Sequence, residues 1–327
     1  MPTESAQLHV DDPEFGDLVF DAVVAGAEDG EPVLLLHGWP QTALSWSRVI
    51  PPLASSGLRI AAVDQRGYSE GARPSEVAAY ATDRLVGDAA DLLDALGWGT
   101  AHIVGHDWGA IVGWSLAARH PGLVRSLTAI SAPHPRAFAS AIRGDEVQRE
   151  KSAYLAFFRR EPAKAAKVLL REDATALRLV YADAVHEHDV EAYVDFFAHD
   201  DAMEASLRWY AAMDDAALLA TPVVEVPTTF VWGTDDIAIG ATAANGCGQW
   251  CSGEASPTQS CPPAIPRARP FTRRSSTSRC GLWPFASYCS TSNAVGNCAL
   301  AGSSRSTSPA TSLGDSGSKA CGSIRRT

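Results

Sequence analysis

The segment Ala101-His102-Ile103-Val104-Gly105-His106-Asp107-Trp108-Gly109-Ala110 decides the architecture. Ala101 to Val104 reads as a short strand, and an apolar helix follows from about 109 to 119. Between them lies Gly-x-Asp-x-Gly, the pattern of a tight strand-to-helix turn that lifts one side chain clear of the backbone. Gly105 and Gly109 let the chain turn without side-chain clashes. The turn holds the Asp107 carboxylate at a helix N-terminus, where the positive end of the helix dipole favours an anion. An isolated Gly-x-Asp-x-Gly equally describes a loop with a capping aspartate. The strand before it and the apolar helix after it make Asp107 a candidate nucleophile.

The pattern on either side is of one kind. Residues 18–24, Val33-Leu34-Leu35-Leu36 and Leu58-Arg59-Ile60-Ala61-Ala62-Val63 read as strands. Residues 82–96 space Leu85, Val86, Ala89, Leu92, Leu93 and Leu96 as one face of a helix, which Gly97 ends. Leu127-Thr128-Ala129-Ile130 is the next strand. Alternating strands and helices predict an α/β fold with a mostly parallel sheet flanked by helices. Residues 136–222 are rich in Ala, charge and helix formers, and are predicted to be a helical cap inserted between the core's first part, 1–135, and its return at 223–240. The returning strand centres on Thr228-Thr229-Phe230-Val231-Trp232.

Two further loops follow strands. His37-Gly38-Trp39-Pro40 comes directly after Leu36, and would present the backbone N–H of Trp39 to the site. With the N–H of Trp108 it would form an oxyanion hole. His37 reads as a structural residue of that loop. Asp64-Gln65-Arg66-Gly67-Tyr68-Ser69 follows Val63 and reads as a strand-ending turn held by an Asp–Arg pair, with no catalytic step assigned to it.

In this order the three motifs resemble the epoxide hydrolases of the α/β-hydrolase fold, over roughly residues 18–240. Haloalkane and haloacetate dehalogenases are close cousins. The resemblance implies that Asp107 attacks a substrate carbon to form an alkyl ester, which a His–acid pair then hydrolyses. It implies two cap tyrosines that hydrogen-bond the epoxide oxygen, matched by Tyr154 in Tyr154-Leu155-Ala156-Phe157-Phe158 and by Tyr210 in Leu207-Arg208-Trp209-Tyr210. A phenol remains protonated at neutral pH and donates well to a developing alkoxide. In Gly233-Thr234-Asp235-Asp236 the family spacing matches Asp236 to the relay acid, with Asp235 a solvated loop charge. A dehalogenase with the same nucleophile stays open, since Trp39 and Trp108 offer indole N–H groups to a halide. The substrate class is thus a small epoxide or organohalide.

The family's general base is a His some tens of residues beyond the acid, but the last of the 9 His in the chain is His199. His102, His106, His134, His186, His188 and His199 lie on the strand before the turn, beside the nucleophile, after the following strand and in the cap, and none fits the role. The composition breaks at the same place. All 7 Cys lie after residue 246. Residues 241–327 carry nine basic and two acidic side chains, a local charge of +7, whereas residues 1–240 carry −18. Seventeen of those last 87 residues are Ser, and the stretch is expected to be irregular. The two parts do not look like products of one selection history, and a frameshift between about Asp236 and Cys261 is the hypothesis that follows. The nucleotide sequence tests it: no His-bearing strand in either alternative frame would sink it. The chain as written would form the ester and release it slowly, or serve as a non-catalytic pseudoenzyme or binding protein.

With 46% hydrophobic residues and a net charge of −11, the 327-residue chain can bury a large core and is a poor partner for nucleic acid. Met1-Pro2-Thr3-Glu4-Ser5 shows no signal-peptide pattern, and no apolar run approaches a membrane span. A cytoplasmic location follows as an expectation. The cysteines follow no zinc-finger spacing, and neither a metal nor a cofactor is expected.

Overall fold

The computed structural model describes residues 3–181, 184–199 and 201–251. Seven strands form one sheet in the order β1-β2-β4-β3-β5-β6-β7. The hairpin β1 (Thr3–Asp12) and β2 (Gly16–Ala25) is antiparallel, and β2 pairs antiparallel with β4. The remainder is parallel: β3 (Glu31–Leu36), then α1 (Ile50–Ser55) leading to β4 (Leu58–Val63), and α2 (Thr82–Ala95) crossing back to β5 (Ala101–His106). After β5 come α3 (Trp108–Arg119) and β6 (Val124–Ile130).

Val33 to Leu36 is buried without interruption because β3 is covered on both faces. Leu34 and Leu36 join the core shared with α2 and α3, while Val33 and Leu35 join a smaller cluster under α1 with Ile50, Ala54, Ile60 and Ala62. The connections leave β3 and β5 toward opposite sides of the sheet. The crevice between their carboxyl ends is the topological switch point, where ligands bind in open α/β sheets.

Between β6 and the returning strand the chain forms α4 (Pro135–Gly144), α5 (Glu146–Lys151), α6 (Leu155–Arg160), α7 (Pro162–Tyr181), α8 (Glu187–Ala198), α9 (Ala202–Ala211) and α10 (Asp215–Ala220), over the span expected to act as a cap. A kink at Arg171–Ala174 splits α7 into two helices. The chain returns as β7 (Thr228–Val231), parallel to β6, followed by α11 (Ala241–Gly246).

Three features depart from the sequence expectations. β1 was unforeseen, because only Leu8, Val10 and the small Ala6 mark its inner face and the rest is polar; pairing with β2 along its whole length makes it a strand. The Asp64–Ser69 turn is not held by an internal Asp–Arg pair. Arg66 is bound by Asp88 and Asp12, while Asp64 accepts the Ala43 N–H. Finally, the stretch expected to be irregular from 241 is helical at its start. Small Ala243, Ala244 and Cys247 side chains are buried, and Val224 bridges Cys251, so close packing replaces the long amphipathic pattern that was absent. The expectations for 252–327 lie outside the described residues. No helix among the described residues is long and apolar enough to cross a membrane.

Candidate active site

Asp107 sits between β5 and α3 with φ 51° and ψ −118°, a backbone conformation disfavoured for a residue with a Cβ. The strain is sustained by neighbours that leave no alternative. The Asp107 N–H donates to Ile130 O of β6 (3.1 Å), and its own carbonyl accepts from Ala110 (3.0 Å) and Ile111 (3.2 Å) in the first turn of α3. A Cβ at Gly109 would strike the Leu36 carbonyl, and one at Gly105 would strike the Gly109 carbonyl. Both glycines are thus required by close approach of backbone to backbone.

The carboxylate meets the loop after β3. Trp39 N–H donates to Asp107 Oδ1 at 2.9 Å, and the Trp108 N–H also bonds the carboxylate. Gly38 makes this approach possible, since a Cβ there would collide with the Asp107 side chain. Desolvation in the cleft raises the Asp107 carboxyl above its usual range. His106 and the N–H groups of Trp108 and Trp39 oppose that rise, and Asp236 adds to it.

A cleft opens over Asp107. Tyr154 and Tyr210 face it from the cap, with ring centroids 6.2 Å apart. Tyr154 lies at the start of α6 and Tyr210 on α9. Burial pushes both phenols upward, followed by the Asp107 charge for Tyr154 and by Tyr154 and then Asp107 for Tyr210, so both are protonated donors at neutral pH. The other walls are apolar: Ile111, Phe138, Leu155, Met213 and Leu218.

Asp236 stands in the loop after β7. Its Oδ1 accepts the N–H groups of Ala238 and Ile239, both at 2.8 Å, and its Oδ2 accepts the Ser131 hydroxyl at 2.6 Å. These bonds fix the loop, and Ala238 and Ile239 line the cleft. Asp236 is close enough for its charge to raise both Asp107 and Tyr154. The cleft thus gathers Asp107, the N–H groups of Trp39 and Trp108, and both tyrosines, with Asp236 at its rim.

Ser131 is the site residue that sequence reasoning passed over. It has φ 69°, and its N–H donates to Val231 O at 2.8 Å. Its signal was positional: it is the first residue past the carboxyl end of β6.

His106 adjoins Asp107 in sequence and acts on it through charge; the other candidate histidines lie elsewhere. His37 is buried, accepts the Gln65 N–H on Nε2 (3.2 Å), and is held down to about 3 by burial. It is the structural residue expected of that loop. His134 lies 2.9 Å from Pro222 O through Nε2 and accepts the Arg136 N–H on Nδ1; burial lowers it to about 4. His102 contacts Ser126 Oγ at 2.7 Å and Glu31 at 3.1 Å. His186 and His199 flank the ends of α8, with His188 inside it. Asp235 is exposed. Among the described residues no group of three or more His, Cys, Asp or Glu could hold a metal.

Residues 31–257 match the model of the alpha/beta hydrolase fold family. The chain belongs to that family. Within it the resemblance is to epoxide hydrolases. The chain is 33% identical over 224 residues to mouse Epoxide hydrolase 4, covering 65% of this chain and 62% of that protein. The chain therefore spans less than two thirds of the mouse relative's length. It is 30% identical over 270 residues to Epoxide hydrolase A of Mycobacterium tuberculosis, covering 71% of this chain and 84% of that one. A solved structure of novel epoxide hydrolases from hot-environment metagenomes superposes with TM-score 0.66 at 29% identity, covering 77% of this chain and 89% of the other. By family, the chain is an epoxide hydrolase-like α/β-hydrolase and an enzyme.

Proposed function

We propose that this protein opens epoxides through an alkyl ester on Asp107. The observation that carries the proposal is the carboxylate itself, held by the Trp39 N–H through Oδ1 and faced across the cleft by two phenols. With Oδ1 engaged, Oδ2 attacks a ring carbon. The carbon–oxygen bond to Asp107 forms as the ring carbon–oxygen bond breaks, and the ring oxygen takes its proton from the tyrosine pair. Hydrolysis then requires water to add to the ester carbonyl carbon. The resulting oxyanion would sit at the N–H groups of Trp39 and Trp108. Collapse releases the diol and restores the carboxylate.

The second half is the slow half in this chain. Water needs a base, and the family's His beyond the acid has no counterpart after His199 in these 327 residues. Asp236 offers its carboxylate as relay acid, but its described partners are Ser131, Ala238 and Ile239. The expected behaviour is rapid formation of the ester and slow release.

A dehalogenase with the same nucleophile has one observation in its favour: Trp39 Nε1 is buried with no acceptor among the described residues. A haloacetate is disfavoured, because its carboxylate would enter a cleft holding Asp107 with no cationic side chain among its described lining residues.

Mixing the protein with styrene oxide and following intact mass and diol tests these readings together. An adduct on Asp107 that outlives many expected turnovers supports the proposal. Steady diol production would overturn the slow second step. Halide release from an alkyl halide, without reaction of the epoxide, would favour the dehalogenase. No adduct and no product would favour a binding protein.

A further inference from the structure

The motif Asp64-Gln65-Arg66-Gly67-Tyr68-Ser69 takes no part in the chemistry above, yet it is among the most tightly held segments of the molecule. The Arg66 side chain is 1% exposed. Its Nε donates to Asp88 Oδ2 at 2.7 Å, Nη2 to Asp12 Oδ2 at 2.8 Å, and Nη1 to Ala79 O at 3.1 Å. With all three nitrogens committed to β1, α2 and the turn before α2, the backbone at Arg66 has no freedom to shift.

That backbone is the seat of α9. Trp209 Nε1 donates to the Arg66 carbonyl at 2.8 Å. Gly67, at φ +87°, allows the turn to come close: a Cβ there would lie 3.1 Å from the Ala205 carbonyl oxygen, one turn earlier on α9. Arg208 Nη1 donates to Pro74 O at 3.1 Å, beside the turn. Trp209 is fully buried and packs edge-on against Trp108, at 5.6 Å and 73°, and Trp108 in turn packs edge-on against Tyr210, at 5.2 Å and 83°.

Trp209 and Tyr210 are consecutive on one helix, so their side chains diverge by about 100° around its axis. Fixing the first therefore fixes the roll of the helix and the aim of the second. A roll of roughly 10° moves a hydroxyl at the tip of a long side chain by about 1.5 Å. Displacements of that size cost large factors in rate.

We infer that the Arg66–Gly67 turn and Trp209 form a positioning device that sets the Tyr210 hydroxyl over Asp107. The inference rests on the epoxide-opening reading for its effect on rate, but not for its effect on geometry. Trp209, Arg66 and Gly67 are positioning residues. Trp209→Phe removes the N–H and keeps an aromatic ring. In the full chain with styrene oxide, this variant lowers the saturating rate of adduct formation by about tenfold or more, with the half-saturating concentration unchanged. In a Tyr210→Phe background it causes no additional slowing, because the group it aims is already absent. Equal slowing in both backgrounds, or a wild-type rate in Trp209→Phe, overturns the inference.

A second measurement separates this outcome from failure of the chemistry. With fluorotyrosine incorporated throughout, the Tyr210 fluorine resonance is identified by its loss in Tyr210→Phe. It shifts in Trp209→Phe if the device works, and an unmoved resonance overturns the inference whether or not any adduct forms. A wild-type chain that forms no adduct sinks the epoxide reading alone. Should Trp209→Phe fail to fold, Gly67→Ala, whose Cβ would meet the Tyr80 ring at 2.9 Å and the Ala205 carbonyl oxygen at 3.1 Å, enters the same two measurements.

Discussion

At the scale of single residues, the site depends on atoms that cannot move far. Asp107→Asn keeps the shape of the turn but removes the attacking charge, and is expected to abolish the adduct with styrene oxide, as read by intact mass. Tyr210→Phe and Tyr154→Phe each remove one donor to the ring oxygen, and each is expected to slow adduct formation by about 10²-fold. A normal rate in both would show that the oxygen leaves without their help. The pH dependence has a definite sign. Burial raises the Asp107 carboxyl, and the proposed attack needs its ionised form, so adduct formation is expected to fall as the pH drops through that raised value. The midpoint should lie above the 3.8 of an ordinary aspartate. A rate that is flat down to that value would remove Asp107 from the attacking role.

Elements set where those residues stand. The strain at Asp107 persists because β5, β6, α3 and the loop after β3 meet there with their backbones almost in contact. Gly109→Ala would push its Cβ into the Leu36 carbonyl, and is expected to destabilise the fold by several kcal/mol in a denaturant titration. Arg66 carries a comparable weight for a different reason. Replacing it with Met leaves Asp88 buried without a counter-charge and Asp12 with only the part-exposed Arg84, 3.5 Å away, which costs about 3–5 kcal/mol. Little change in the denaturation midpoint for Arg66→Met would show that water reaches those carboxylates. The strands and helices around these points were largely legible. Hydrophobic runs such as Val33–Leu36 and the spacing of Leu85, Val86, Ala89, Leu92 and Leu93 on α2 carry their own signal. β1 was not legible, since half of its residues face solvent and only its partner strand defines it. Nor was α11, where Ala and Cys bury by fitting rather than by pattern.

For the whole molecule, acid acts in two directions: Asp64 and Asp88, raised to about 6 by burial, favour the fold as pH falls from about 6 toward 3.8, whereas two histidines oppose it. His37 and His134 are buried and neutral, with values lowered from 6.5 to about 3 and about 4. Each binds a proton in the unfolded chain near pH 6.5 but resists doing so when folded. The stability they permit is therefore complete above pH 6.5 and declines as pH falls toward about 4 for His134 and about 3 for His37. Between those limits each contributes a slope of about 1.4 kcal/mol per pH unit. A His134→Asn variant should show a shallower decline, and an unchanged slope would mean that His134 is already solvated in the folded protein.

The division between sequence and tertiary structure follows from distance along the chain. Gly105, Asp107 and Gly109 constrain one another within a single turn, so these five residues, read with the strand just before them and the apolar helix just after, mark the turn and the fold around it. His37 to Trp39 is similarly local, a loop that begins where a buried strand ends. Tyr154, Tyr210 and Asp236 could be named by resemblance, but the two tyrosines face the cleft with Asp107 only because the helices between β6 and β7 fold back over it, and Asp236 comes near only through the returning strand β7. The partners of Arg66 carried no local mark, and the hydroxyl of Ser131 on Asp236 carried only its position after β6. Buried polar groups must find hydrogen-bond partners wherever packing delivers them, and packing is a property of the whole chain.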